Sequence, residues 1–196
     1  QATPTHSRTI VLISSAQYNQ EKNPTKETDR TRPLTVLVGK RLAALTARKI
    51  DAVHMSSITR ATETANLILG QLPAEIQRSS DLTLDEGAPY PPVPAHSKWK
   101  PYDYEVYSDA ARIESAFRKY IHRAVPNQKK NTVEVIVCDG NVIRYFVCRA
   151  LQLPPESWLR MTVADTSITV LRIGPDGRVT MRSMGDVGHL PSEMIT

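Results

Sequence analysis

Cys138-Asp139-Gly140-Asn141-Val142-Ile143-Arg144 puts a thiol, a carboxylate and a guanidinium within seven residues. A cysteine separated from an arginine by five residues is the spacing of cysteine-dependent phosphatases. There a thiolate at a helix N-terminus attacks phosphorus and the arginine clamps the phosphoryl oxygens. The same spacing also fits a buried strand cysteine followed by an arginine on the next helix. Asp139 beside the sulfur favours that blander reading, because a neighbouring negative charge raises a thiol pKa. So does the glycine, which stands at the second loop position rather than the third. Ser14-Ser15-Ala16 is a second candidate, with two hydroxyls at the end of an apolar run. Cys138 and Cys148 are the only cysteines. Neither a metal-ligand spacing nor a disulfide framework is expected from them, and no cofactor is expected.

These groups need elements that bring them together. Thr132–Val137 is rich in β-branched residues and reads as a strand, and Arg144–Leu151 has apolar residues at helical spacing. The turn between them lies at the carboxyl end of a strand, where α/β proteins place reactive groups. Ile10–Ile13 is a strand apolar on both faces, as in a sheet centre. If the two strands are neighbours, both turns face one pocket. Tyr18–Pro33 reads as a long polar loop and Leu34–Lys49 as a helix. Ile50–Met55 is a strand, Thr59–Leu69 a helix and Ile76–Leu82 a strand. This β-loop-α-β-α order predicts a parallel sheet. Residues 85–107 form a proline- and tyrosine-rich insertion, and Ser108–Ala124 an amphipathic helix capped by Ser108. Ser167–Ile173 and Arg178–Met184 alternate around Pro175-Asp176-Gly177, a β-hairpin.

The length of 196 residues suits one domain with a sizeable core. A net charge of +5, from 25 basic and 20 acidic residues, is spread along the chain. It serves solubility with a slight lean towards anionic partners, and no basic helix or aromatic-plus-basic motif points to nucleic acid. No apolar run is long enough to cross a membrane and no signal peptide is visible. Membrane attachment is therefore expected only through a segment absent from this chain. His54, near a strand end, reads as a packed residue, and the other histidines fit no pairing.

Several stretches together resemble the histidine phosphatase superfamily, in its phosphoglycerate-mutase-like branch. They are Ile10–Ile13 with Gln17-Tyr18, Leu34–Leu45, Ser56–Ala65, Glu86–Pro89 and Asn141–Pro155. Trp158-Leu159-Arg160 and the final hairpin continue the match. The resemblance runs in order along nearly the whole chain, over residues 1–196 as a single domain. It implies a three-layer α/β/α fold with a mostly parallel central sheet. In that family a histidine after the first strand attacks phosphorus, a second histidine follows the later strand, arginines hold the phosphate and a glutamate donates a proton.

The resemblance places Arg60 and Glu86 at family positions. Ser14 stands in place of the first arginine, Ser15 in place of the nucleophilic histidine, and Asp139 in place of the second. A carboxylate where phosphate should sit repels it by roughly 4 kcal/mol at about 4 Å and an effective dielectric near 20. A lost arginine removes charge-assisted hydrogen bonds of about 1.5–3 kcal/mol each. The expectation drawn from these departures is a pseudophosphatase with a vestigial pocket of Ser14, Ser15, Arg60, Glu86 and Asp139. Such a module would bind protein partners through the cleft or the 85–107 segment. Arg60 and Asp139 are expected to form an ion pair across the pocket. The alternative is an active serine/threonine protein phosphatase or phosphoester hydrolase with a rearranged site, using Ser15 or Cys138 with Arg144. The resemblance further implies homodimers and a mitochondrial setting, in any case an intracellular, reducing compartment.

Overall fold

A computed structural model describes residues 3–16, 31–45 and 49–195. Six strands form one sheet in the order β3-β2-β4-β1-β5-β6. They are β1 (Arg8–Ser14), β2 (Ala52–Ser56), β3 (Gln77–Asp81), β4 (Thr132–Cys138), β5 (Ile168–Ile173) and β6 (Val179–Asp186). The first four are mutually parallel, while β5 runs antiparallel to β1 and β6 to β5. β1 sits between β4 and β5 and is buried almost throughout, which explains its unbroken apolar run.

Alternation along the strands divides the core in two. Val11, Ile13, Val53, Val135 and Val137 pack with Val38 and Leu42 of α1 (Thr31–Leu45) and with Ala61, Ala65 and Ile68 of α2 (Thr59–Leu69). Ile10, Leu12, Ile136 and Cys138 face the other way. They meet Ile113 and Ala116 of α3 (Asp103–Tyr120) and Ile143 and Phe146 of α4 (Gly140–Ala150). Helices on both faces of the sheet make the expected three layers.

The differences from expectation are local. Helix α1 begins at Thr31, inside the stretch expected as loop; residues 17–30 and 46–48 lie outside the described residues. Helix α3 begins at Asp103 rather than Ser108, because Glu105 folds back to accept the Tyr102 N–H at 2.7 Å and closes the first turn. The 85–107 segment is packed onto the body. Trp158 Nε1 donates to Tyr90 O at 2.8 Å, the Val93 N–H to Glu156 O at 2.9 Å, and Trp99 meets the Trp158 ring edge-on at 5.1 Å.

Candidate active site

Because β1 and β4 are parallel neighbours, their carboxyl ends finish side by side, with Ser14 opposite Cys138. The Ser15 N–H then donates to Cys138 O at 2.9 Å, joining the two turns. Ser14 Oγ lies 3.9 Å from where a Cβ on Gly140 would stand, which sets the β1 turn in van der Waals contact with the start of α4. Ser14 and Ser15 are both buried at the base of this junction.

Asp139 caps α4. Its Oδ1 accepts the Asn141 N–H at 2.8 Å, so a carboxylate of the chain itself occupies the positive end of that helix. Its Oδ2 accepts from Arg60 Nη2 at 3.1 Å, which is the ion pair expected across the pocket. Arg60 enters from the first turn of α2, which follows directly on β2 through Ser57-Ile58. The same Nη2 also donates to Glu86 Oε2. Glu86 is about half exposed, whereas Arg60 and Asp139 are largely covered. One guanidinium nitrogen thus serves two carboxylates from different elements, and the cluster of three carries a net negative charge. Ser14, Ser15, Arg60, Glu86 and Asp139 are all brought to one place.

Cys138 and Arg144 are not brought together in the manner a cysteine phosphatase requires. Cys138 ends β4 with its side chain in the core beneath α3 and α4, wholly buried. Burial first, and the adjacent Asp139 second, push the thiol well above its ordinary pKa, so a thiolate is disfavoured. The Arg144 guanidinium donates to Asn141 Oδ1 at 2.5 Å and to Met161 O at 3.4 Å, and lies over the Trp158 ring. His54 is a packed residue held by Ser79 Oγ at 2.8 Å and Glu134 Oε1 at 3.3 Å. Among the described residues no group of three or more His, Cys, Asp or Glu is placed to hold a metal ion.

Sequence reasoning passed over two groups that fix this site. Asp85 accepts from Ser56 Oγ at 2.7 Å and from Ser57 N and Oγ at 2.7 and 2.6 Å. Arg112 of α3 donates to main-chain carbonyls around Glu86 and pairs with Asp109. The signal available for the second was an Asp and an Arg three apart on a helix.

The model for the histidine phosphatase superfamily (branch 1) matches residues 90–186. A relative from Caenorhabditis briggsae, named "Serine/threonine-protein phosphatase Pgam5, mitochondrial", is 53% identical over 192 residues, covering 98% of this chain and 68% of the relative. The chain belongs to the histidine phosphatase superfamily. The human protein named "Serine/threonine-protein phosphatase PGAM5, mitochondrial" is 47% identical over 192 residues, with 96% and 66% covered. A crystal structure of phosphoglycerate mutase from Plasmodium falciparum superposes with a TM-score of 0.67 at 28% identity, over 98% of this chain and 99% of the other.

These findings agree with the expected superfamily, its phosphoglycerate-mutase-like fold and, by resemblance, the mitochondrial setting. They overturn the expectation of a pseudophosphatase. At about half of all positions the chain is identical to superfamily members named as phosphatases, along nearly its whole length. The three departures at Ser14, Ser15 and Asp139 carry too little weight against that.

Proposed function

We propose that this chain is a serine/threonine phosphoester hydrolase acting on phosphorylated proteins. One observation carries the reading: 53% identity over 192 residues to a protein named as a serine/threonine-protein phosphatase. The pocket geometry supports it, since Arg60 stands at the carboxyl end of the sheet beside the junction of β1 and β4. In this reading Arg60 takes the phosphoryl oxygens, and Glu86, the more exposed carboxylate, yields its place on the guanidinium to them. Glu86 then carries the proton that the departing serine or threonine oxygen needs.

In this reading Ser15 attacks phosphorus in place of the superfamily's histidine, and Asp139, on the adjoining turn, takes its proton. The bond from Ser15 Oγ to phosphorus forms as the bond to the substrate oxygen breaks. Water then releases phosphate by the reverse proton movements. Cys138 has no part in these steps, because its thiol is buried and held protonated. Tyr102, Tyr104 and Tyr107 are exposed at the start of α3 and offer aromatic contacts to the polypeptide of a phosphoprotein substrate.

The test is release of inorganic phosphate from a phosphoserine peptide. The unmodified protein is expected to turn over. Arg60→Ala is expected to lower kcat/KM about 100-fold, and Ser15→Ala by at least as much, equivalent to about 3 kcal/mol of transition-state stabilisation. An inert protein, or turnover indifferent to both substitutions, overturns the proposal.

A further inference from the structure

The geometry points to Arg112, supported by Asp109, as the positioning residue that aims Glu86 at the reacting phosphoester. The inference rests on the reading of Glu86 as proton donor and adds the device that places it. Glu86 lies on an irregular turn after β3, where the Asp85 N–H bonds to Leu82 O at 3.1 Å. A turn of that kind is not rigid by itself.

Arg112 supplies the missing rigidity from α3. Its Nη1 donates to Asp85 O at 2.6 Å and to Thr83 O at 3.3 Å, and its Nη2 to Glu86 O at 2.8 Å. Asp109 accepts from Arg112 Nη2 at 3.2 Å through Oδ1 and from the Ala88 N–H at 2.9 Å through Oδ2. The pair therefore grips the main chain on both sides of Glu86. Gly87 shows how closely it does so. A Cβ there would stand 2.5 Å from Asp109 Oδ2 and 2.7 Å from Arg112 Nη2. On the other side Asp85 is bonded to Ser56 and Ser57, just ahead of the helix that carries Arg60. The turn is thus pinned between α3 and the start of α2, with the Glu86 side chain facing Arg60.

Arg112 bonds to main-chain carbonyls and Asp109 and touches no reacting group, so it acts on the reaction by holding the turn that carries Glu86. A misplaced proton donor harms substrates that differ in leaving group unequally. An alkyl oxygen such as that of phosphoserine needs the proton, and an activated aryl oxygen leaves without it. A residue that merely held the fold together would affect both alike.

The experiment compares a phosphoserine peptide with p-nitrophenyl phosphate. Arg112→Ala is expected to lower kcat on the peptide about 30-fold and on the aryl ester less than about 3-fold, with KM little changed. Glu86→Gln is expected to give the same split, and Arg112→Lys to recover part of the loss. Asp109→Asn, a milder change, should show the split in smaller degree if Arg112→Ala does not fold. Equal losses on both substrates, or no loss in folded variants, overturn the inference. If the unmodified protein hydrolyses neither substrate, it is the reading of the activity that fails. A crystal structure of Arg112→Lys or Asp109→Asn then decides the placement. Glu86 displaced from Arg60 supports it, and Glu86 unmoved refutes it.

Discussion

Two arginine–carboxylate clusters in this molecule are built from the same groups in opposite proportions. Between α3 and α4, the Glu114 carboxylate accepts from Arg149 Nε at 3.0 Å and Nη2 at 2.9 Å, from Tyr145 Oη at 2.7 Å and from Arg118 Nε at 3.0 Å. That cluster has donors in excess. At the carboxyl end of the sheet, Arg60 Nη2 is shared by Glu86 and Asp139. That cluster has acceptors in excess. A carboxylate surrounded by donors stays ionised and holds two helices together. A guanidinium shared between carboxylates leaves oxygen free to take a proton and can exchange one partner for an incoming anion. The first arrangement ties helices together, and the second leaves one guanidinium divided between carboxylates from two different turns.

The largest effect is expected from reversing the proportions at the pocket. Ser14→Arg, Ser15→His and Asp139→His in one protein turn one arginine against two carboxylates into two arginines against one. Removing a repulsion of roughly 4 kcal/mol at an effective dielectric near 20 and adding charge-assisted donors should raise affinity for inorganic phosphate by two or more orders of magnitude. Titration calorimetry with phosphate is the direct check. An unchanged affinity would mean that the acceptor excess at Arg60 does not govern anion binding, and the contrast between the clusters would lose its functional meaning.

A smaller effect tests the other side. Hydrogen bonds from Arg149 foremost, then from Tyr145 and Arg118, outweigh burial and hold the Glu114 carboxyl down at about 2. A carboxyl depressed in the folded state stabilises it above the unfolded pKa near 4.5, and that contribution disappears as pH falls through about 2. Glu114→Gln should therefore cost about 1–3 kcal/mol at pH 7, with the difference from the unmodified protein shrinking steadily below about pH 4.5. Urea unfolding across that range measures it. Turnover on a phosphopeptide should stay within about twofold, since Glu114 serves packing alone. A variant that lost activity while keeping its stability would show that the two clusters are not separate in role.

The contrast also explains what could be read from the chain beforehand. Strand β1 and helix α2 follow from the spacing of apolar residues, because burial of one face or two leaves a period in the sequence. The pairing of Arg60 with Asp139 was foreseeable, because parallel neighbouring strands end together and bring their turns to one place. The start of α3 was not. Pro101 and the surrounding tyrosines suggest a loop, and the deciding contact is a single bond from the Tyr102 N–H to Glu105. Arg112 was hidden for a different reason. It binds main-chain carbonyls up to 30 residues away, and such acceptors are present at every position, so no residue type marks them. The inert reading failed because three substitutions were weighed without the rest of the chain. Identity spread over 192 residues constrains activity more broadly than three residues on two turns.

The smallest effect on turnover is expected at Cys138, where the core meets the pocket. The residue ends β4 directly before Asp139, but its side chain lies on the core face with Ile136, Val142 and Phe146. Cys138→Ser places a hydroxyl among apolar groups and should cost about 1–2 kcal/mol of stability, because a buried hydroxyl without a partner is penalised. Phosphopeptide turnover should change by less than about twofold, because a thiol held protonated by burial supplies no nucleophile. A thiol-directed alkylating agent should likewise leave the folded protein unmodified at this position. A loss of more than about tenfold in turnover, at unchanged stability, would require the sulfur to reach the phosphoester. In that event the nucleophile would come from the core side of the β4 turn, and Ser15 would no longer be the attacking group.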